Sequence, residues 1–246
     1  MKSYTIHLIR HGQTEGNEAG RYIGRTDLPL SSRGERHLKD LAAEYRYPQA
    51  DVYFTSPLKR CIQTLKILYP QAKPVVIDGF RECDFGAWEG KTAQEIAAGD
   101  PSFARWISGG GKSVSPPGGE SSAAFMHRVC ESFEKVVEGL LRSGTTSAVI
   151  VAHGGTLMTI LSAYGMPRAR FYDWMTESGR GYSMRITPGL WMRSMVGEVY
   201  AKIPGGPHEE EPEGIQMIDL VREAADRAFG AEKGGKGQTK QKTEDQ

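Results

Sequence analysis

Two short apolar runs end in the same way, and that repetition constrains the fold more than any other feature of the chain. Residues 4–9 stop at Arg10-His11-Gly12, and residues 147–152 stop at His153-Gly154-Gly155. Each reads as a strand running into an imidazole, a glycine and then a helix. Open α/β sheets bind ligands at the carboxyl ends of their strands. A guanidinium and two imidazoles therefore stand where a substrate would sit. Gly12 lets the backbone turn sharply and approach a ligand closely, and Gln13, Thr14 and Asn17 add hydrogen-bonding groups in the same turn. One such strand end is often a satisfied core histidine; two in one sheet point to a site.

The rest of the chain supplies alternating helices and strands. Ser32 and Glu35 form a capping box ahead of a helix over 32–46. Residues 51–55 form a strand, and Ser56-Pro57 supplies an N-cap and a proline at the first helical position. Leu58, Cys61, Ile62, Leu65 and Leu68 then mark a buried helix face. A strand is predicted over 74–78, an ordered loop over 79–91, short helices over 92–98 and 101–108, and a flexible loop over 109–119. A long amphipathic helix begins at Glu120, a buried strand spans 147–152, and a helix follows over 154–164. Residues 182–187 and 190–196 suggest a closing hairpin around Pro188-Gly189. This alternation argues for an α/β sandwich with a largely parallel sheet. The composition changes near Pro204. Domain limits of 1–204 and 205–246 follow, with a short amphipathic helix at 215–229 and a disordered tail.

Bulk properties exclude several classes. The formal charge is +1 over 246 residues, which gives no field for nucleic acid or an anionic membrane. Three cysteines without C-x-x-C spacing favour a reducing, cytoplasmic setting. No run is long enough to span a membrane, and no leader is expected. No two histidines have metal-ligand spacing, so neither metal nor cofactor is expected. Gly111-Lys112-Ser113 is not a phosphate loop, because Trp106 stands where that motif needs glycine.

Among the remaining polar residues, Arg60 lies in the first turn of its helix, where a cation opposes the helix dipole at a cost of about 0.3–1 kcal/mol. A bound anion would remove the conflict, although an exposed arginine paired with water is the simpler reading of that residue alone. Glu82, Asp84 and Glu89 compete for an acid–base role, which needs one partly desolvated carboxyl; spacing does not choose among them. His7, His37, His127 and His208 read as structural or solvated.

The motifs in order are Arg10-His11-Gly12, Asn17, Tyr22-x-Gly24-x-x-Asp27-x-Pro29-Leu30-Ser31, Ser56-Pro57-Leu58-Lys59-Arg60, Glu82-x-Asp84-Phe85-Gly86-x-Trp88-Glu89-Gly90, Pro117-Gly118-Gly119-Glu120-Ser121 and Ala152-His153-Gly154. Together they resemble the histidine phosphatase superfamily, in its phosphoglycerate-mutase-like branch, over about residues 4–200. The resemblance implies a three-layer sandwich, with helices on both faces of the sheet. It implies that His11 is the nucleophile and becomes phosphohistidine. It assigns Arg10, Arg60 and His153 to the phosphoryl oxygens, and selects Glu82 as the acid that protonates the leaving oxygen. Asn17, Gln13, Thr14, Gly24 and Gly154 complete a pocket for a small phosphorylated substrate.

Within the branch, mutases carry a longer insertion between acid and second histidine, and asparagine commonly follows their His-Gly. Here 71 positions separate Glu82 from His153, and Gly155 follows Gly154. A phosphatase is therefore expected, with mutase-type transfer and a non-catalytic phospho-ligand binder as alternatives. Residues 22–31 are similar to the same stretch of α-ribazole phosphatases. The sequence indicates neither the substrate nor the oligomeric state.

Overall fold

The computed structural model describes residues 2–108 and 114–207. Its elements, in chain order, begin with β1 (Tyr4–Arg10), α1 (Glu15–Glu18), α2 (Ser32–Glu44), β2 (Val52–Thr55) and α3 (Lys59–Leu68). There follow β3 (Val75–Val76), α4 (Ala93–Gly99), α5 (Ser102–Ile107), α6 (Ser122–Ser143) and β4 (Ser147–Ala152). The last are α7 (Gly154–Tyr164), β5 (Gly165–Met166), β6 (Gly181–Ile186), α8 (Pro188–Ser194) and β7 (Gly197–Ile203). The strands form one sheet in the order β3-β2-β4-β1-β6-β7-β5. β3, β2, β4 and β1 are parallel, and β6 runs antiparallel to both of its neighbours. This is the mostly parallel α/β sandwich that the sequence predicts.

Side-chain alternation along the central strands makes the layers. Successive strand residues face opposite sides of a sheet. Ile6 and Leu8 of β1, with Ala148, Ile150 and Ala152 of β4, join one core, to which α6 and α7 contribute Phe125, Val129, Phe133, Leu157 and Leu161. Ile9, Val149 and Val151 join the other, with Leu38 of α2 and Cys61 and Leu65 of α3. β4 is apolar on both faces because both are covered.

Local signals misplace several boundaries. The predicted hairpin at 188–189 is instead α8. Pro188 occupies the first helical turn, and Met195, at φ 48°, ends the helix before β7. Burial of Trp191 against Phe133 and Tyr164, with ring centroids 6.0 and 5.3 Å away, decides for a helix. The cap of α2 is Ser31, not Ser32; its Oγ accepts from the Gly34 N–H at 2.9 Å. α3 starts at Lys59 without a side-chain cap, and the predicted strand 74–78 shortens to two residues. In the predicted flexible loop, residues 109–113 lie outside the described residues. Pro117 accepts from the Ala87 N–H at 2.9 Å, and Glu120 N–H donates to Asp84 O at 2.9 Å, so its later part is pinned. Beyond Ile203, Gly205 N–H donates to Arg46 O at 3.0 Å and Pro207 bridges to Tyr45. The predicted helix 215–229 and tail lie outside the described residues.

Candidate active site

Three adjacent parallel strand ends bring the polar residues together. β1 and β4 are in register at Arg10 and Ala152. His11 N–H donates to Ala152 O at 2.9 Å, and Ser56 N–H donates to Val151 O at 3.1 Å. The His11 and His153 rings therefore meet edge to face, 5.1 Å apart, at the end of α3 that bears Arg60.

The two rings are wired differently. His11, 4% exposed, has Nδ1 2.6 Å from its neighbour's Gly12 O. A carbonyl only accepts, so Nδ1 carries the proton and Nε2 the lone pair. Burial, followed by the charges of Arg60 and Arg10, holds the His11 pKa well below its ordinary 6.5, against the Gly12 hydrogen bond, which raises it. The ring is neutral and nucleophilic at neutral pH. In His153, Nδ1 accepts from Arg60 Nε at 3.3 Å, and Nε2 lies 2.7 Å from Ser56 Oγ. The arginine has only donors, which places the His153 proton on Nε2, directed at the serine. Burial is the largest cause of its lowered pKa too, with Arg60 next.

The cations face this pair. Arg60 is fully buried, and donates from Nη1 to Thr26 O at 2.9 Å and from Nη2 to Gly24 O at 2.8 Å. One N–H on each terminal nitrogen is left over. Arg10 donates to Thr176 O at 2.6 Å, while its Nε is buried and has no partner among the described residues. An unpaired buried guanidinium N–H is costly, and a phosphoryl oxygen would satisfy it. Burial lowers the pKa of both arginines, opposed by nearby Glu82; two desolvated guanidinia make a strong anion site. Gly154 lies alongside: a Cβ there would sit 3.4 Å from Arg10 Nε.

The structure separates the three competing carboxylates. Glu82 is buried in the site, its Oε1 accepting from Cys83 N–H at 2.9 Å and its Oε2 from Gly155 N–H at 3.0 Å. Burial raises its pKa, against those two hydrogen bonds and the charges of Arg60 and Arg10. This favours a protonated carboxyl that can donate. Glu89 instead cradles the loop beneath Arg60, accepting from the N–H groups of Gly24 and Arg25 at 3.0 Å and Thr26 Oγ at 2.6 Å. Asp84 accepts from Gly86 N–H at 3.0 Å and pairs with Arg25 at 3.3 Å.

Thr14 and Asn17 form a capping box on α1, with Asn17 Oδ1 accepting from Thr14 N–H at 3.1 Å and Thr14 Oγ at 2.9 Å. That leaves the Asn17 amide nitrogen as a donor. Gln13 is half-buried, and its carbonyl accepts from Ser31 N–H at 2.9 Å. His7 is buried, with Nδ1 2.8 Å from Ser183 Oγ, whereas His37 and His127 are exposed; His208 lies outside the described residues. Three site residues escape sequence reasoning. Ser56 was legible only as a helix cap, Glu89 only as a rival to Glu82, and the N–H of Gly155 carried no signal. Among the described residues no three His, Cys, Asp or Glu side chains are grouped to hold a metal ion, and no helix is long and apolar enough to cross a membrane.

A family model described as "Histidine phosphatase superfamily (branch 1)" matches residues 6–196. Phosphoserine phosphatase 1 of Hydrogenobacter thermophilus is 34% identical over 170 residues, 68% of this chain and 79% of that protein. A 2,3-bisphosphoglycerate-dependent phosphoglycerate mutase of Cytophaga hutchinsonii is 31% identical over 160 residues, 63% of this chain and 74% of that one. Among solved structures, the α-ribazole phosphatase of Shigella flexneri superposes with a TM-score of 0.64 at 26% identity, covering 75% of this chain and 91% of that one.

Proposed function

Because the chain belongs to branch 1 of the histidine phosphatase superfamily, we propose that it is a metal-independent phosphomonoesterase acting on a small phosphorylated metabolite through a phosphohistidine on His11. The observation that carries this reading is the wiring of His11: Nδ1–H is held by Gly12 O, which leaves the Nε2 lone pair free on a ring that feels the charges of Arg60 and Arg10.

The reaction runs in two displacements. His11 Nε2 attacks phosphorus as the ester P–O bond breaks, and the Glu82 carboxyl gives its proton to the leaving oxygen. The resulting Glu82 carboxylate then takes a proton from water, whose oxygen attacks phosphorus. The P–N bond breaks, which returns neutral His11 and protonated Glu82. Arg10, through its unpaired Nε, and Arg60 hold the phosphoryl oxygens, which is most of what such a transfer needs. In the free site the Nε2–H of His153 is given to Ser56, so that ring donates to the same group only by turning this N–H from the serine to a phosphoryl oxygen. Asn17 adds its amide, Gln13 lines the turn, and Thr14, Gly24 and Gly154 shape it. The unpaired thiols of Cys61, Cys83 and Cys130 support a reducing, cytoplasmic setting.

Mutase-type transfer is the second reading, favoured by the mutase relative. Gly155 weighs against it, since a Cβ there would lie 2.4 Å from Glu82 Oε1, so the asparagine common in mutases would displace the carboxyl. A non-catalytic binder would have no use for an imidazole held neutral beside an acid.

Rapid-quench labelling with a phosphorylated substrate tests the reading. Label is expected on His11, in the presence of a chelator. The rate should fall as pH drops through the depressed His11 pKa, below 6.5, and again as pH rises through the elevated Glu82 pKa, above 4.5. Glu82→Gln should remove the upper limb and slow alkyl phosphates about 10²–10⁴-fold, with less effect on an aryl phosphate. Activity lost to the chelator and restored by metal, or label on another residue, would overturn it. Isomerisation of 3-phosphoglycerate faster than its hydrolysis would favour the mutase.

A further inference from the structure

Glu82 sits in an irregular segment, after the short 3₁₀ turn Asp78–Phe80 and outside any strand or long helix. Such a segment has no ladder of its own to hold a catalytic carboxyl in place. Its backbone carbonyls are instead gathered by one side chain of α6. Arg128 donates from Nη1 to Gly79 O at 3.0 Å and to Arg81 O at 2.8 Å, and from Nη2 to Glu82 O at 2.9 Å. The rest of its guanidinium is taken by Glu120: Nε to Oε1 at 2.8 Å and Nη2 to Oε2 at 2.7 Å. All five N–H groups are thus used on protein acceptors, in the fixed planar fan that only arginine offers. The Glu120 N–H donates in turn to Asp84 O at 2.9 Å. The clamp therefore holds carbonyls of residues 79, 81, 82 and 84, on both sides of the carboxyl. One turn earlier on α6, Phe125 lies beneath the Arg128 guanidinium at 5.0 Å and also borders Gly155, whose N–H holds Glu82 Oε2.

We propose that Arg128, oriented by Glu120, is the positioning residue for the Glu82 carboxyl, and that it sets the efficiency of proton transfer to the leaving group without touching the substrate. The proposal rests on the reading of Glu82 as the general acid. A group that acts only through Glu82 should matter most where the leaving oxygen most needs a proton. It should also lose its influence once Glu82 can no longer donate.

The experiment is a double-mutant cycle read on two substrates, an alkyl phosphate and an aryl phosphate with a good leaving group. Arg128→Lys keeps the charge and loses the fan; Glu120→Gln loses the orienting carboxylate and serves as the second variant if the first does not fold. Either should depress the rate of phosphoenzyme formation, read by rapid quench, about 10–100-fold for the alkyl substrate, as expected for a reacting group misplaced by around 1 Å, and at least about tenfold more than for the aryl substrate. In a Glu82→Gln background the same substitutions should add less than about threefold, the scatter expected of independent sites. The upper limb of the pH–rate profile should move, with KM little changed. Equal losses on both substrates, or losses that multiply in the Glu82→Gln background, would overturn the proposal and leave the two-step reaction standing. A Glu82→Gln variant insensitive to leaving group would instead overturn the assignment of the acid, and the positioning role with it.

Discussion

The ends of β1 and β4 share one local pattern, strand then histidine then glycine, yet they give their histidines opposite freedom. At the end of β1, His11 is tethered, among the described residues, by Nδ1 alone, to the carbonyl of Gly12. At the end of β4, His153 is held at both ring nitrogens, by Arg60 and by Ser56. The glycines differ as well. A Cβ on Gly12 would press on Leu38 Cδ1 at 2.5 Å and Leu30 Cδ2 at 3.0 Å, whereas on Gly155 it would meet Glu82 Oε1 at 2.4 Å. One glycine makes room for the core and the other for an acid. Both imidazoles are kept neutral by the same cause, burial beside cations. On the proposed mechanism, reactivity is therefore divided by hydrogen bonding, and the shared motif does not reveal the division.

The sharpest way to break this comparison is to remove each ring in turn. His11→Asn should abolish turnover, on the order of 10⁶-fold for a nucleophile without substitute, and no phosphoenzyme should form. His153→Asn should slow turnover roughly 10²–10³-fold, like the loss of one donor to a developing charge, with label still trapped on His11. Acid-labile label trapped in the His11 variant but not in the His153 variant would reverse the two roles.

The legibility of these parts in sequence follows from where their partners lie. β4 was readable because both of its faces are covered, so its apolar run is continuous, and β1 because its apolar residues are interrupted only by Thr5 and His7. His11, His153, Arg10 and Arg60 were readable because strand ends and a helix start are local features. Ser56 was misread for the same reason: Ser-Pro is a strong cap signal, but its hydroxyl is bound to His153, 97 positions away. Glu82, Asp84 and Glu89 fall within one short segment, and burial rather than spacing separates them. Arg128 gave no signal, since its acceptors on the Glu82 segment lie 46 to 49 positions earlier. α8 was mistaken for a strand because the burial of Trp191 against α6 and α7 is a tertiary fact.

The glycines give a second, smaller contrast. Gly12→Ala forces a methyl against two leucine side chains in the core, and overpacking of that kind costs typically 1–3 kcal/mol. Its denaturation midpoint should drop. Gly155→Ala pushes instead on Glu82 Oε1, and the strain is relieved only if the carboxyl leaves the N–H groups of Cys83 and Gly155. Its stability should fall by no more than that of Gly12→Ala, but the alkyl phosphate rate should fall about tenfold or more, as for a misplaced catalytic group. Urea titration and kcat measured on the same preparations separate the two. A Gly155→Ala variant with normal leaving-group dependence would mean that Glu82 does not need its observed position.

The smallest contrast lies one layer further out, in the hydroxyls behind each strand end. Ser56 Oγ lies 2.7 Å from His153 Nε2, and Thr64 Oγ accepts from the Gly12 N–H at 2.9 Å. Both residues are fully buried. Ser56→Ala and Thr64→Val should each leave a buried N–H unsatisfied, at about 1–3 kcal/mol of stability. Only the serine touches a ring, so only its loss should reach the chemistry. A hydrogen bond of net worth about 0.5–1.5 kcal/mol corresponds to roughly two- to twelvefold in kcat if it is felt fully in the transition state. Ser56→Ala should lose activity within that range, and Thr64→Val should lose none beyond experimental scatter, although both unfold at lower denaturant. The ratio of the two kcat values is the decisive quantity, because shared destabilisation cancels from it. A ratio of one would mean that the orientation of His153 is set without the serine, by the Arg60 Nε–Nδ1 contact at 3.3 Å and by Cys61 Sγ, 3.5 Å from Nε2, and that the serine is only part of the packing.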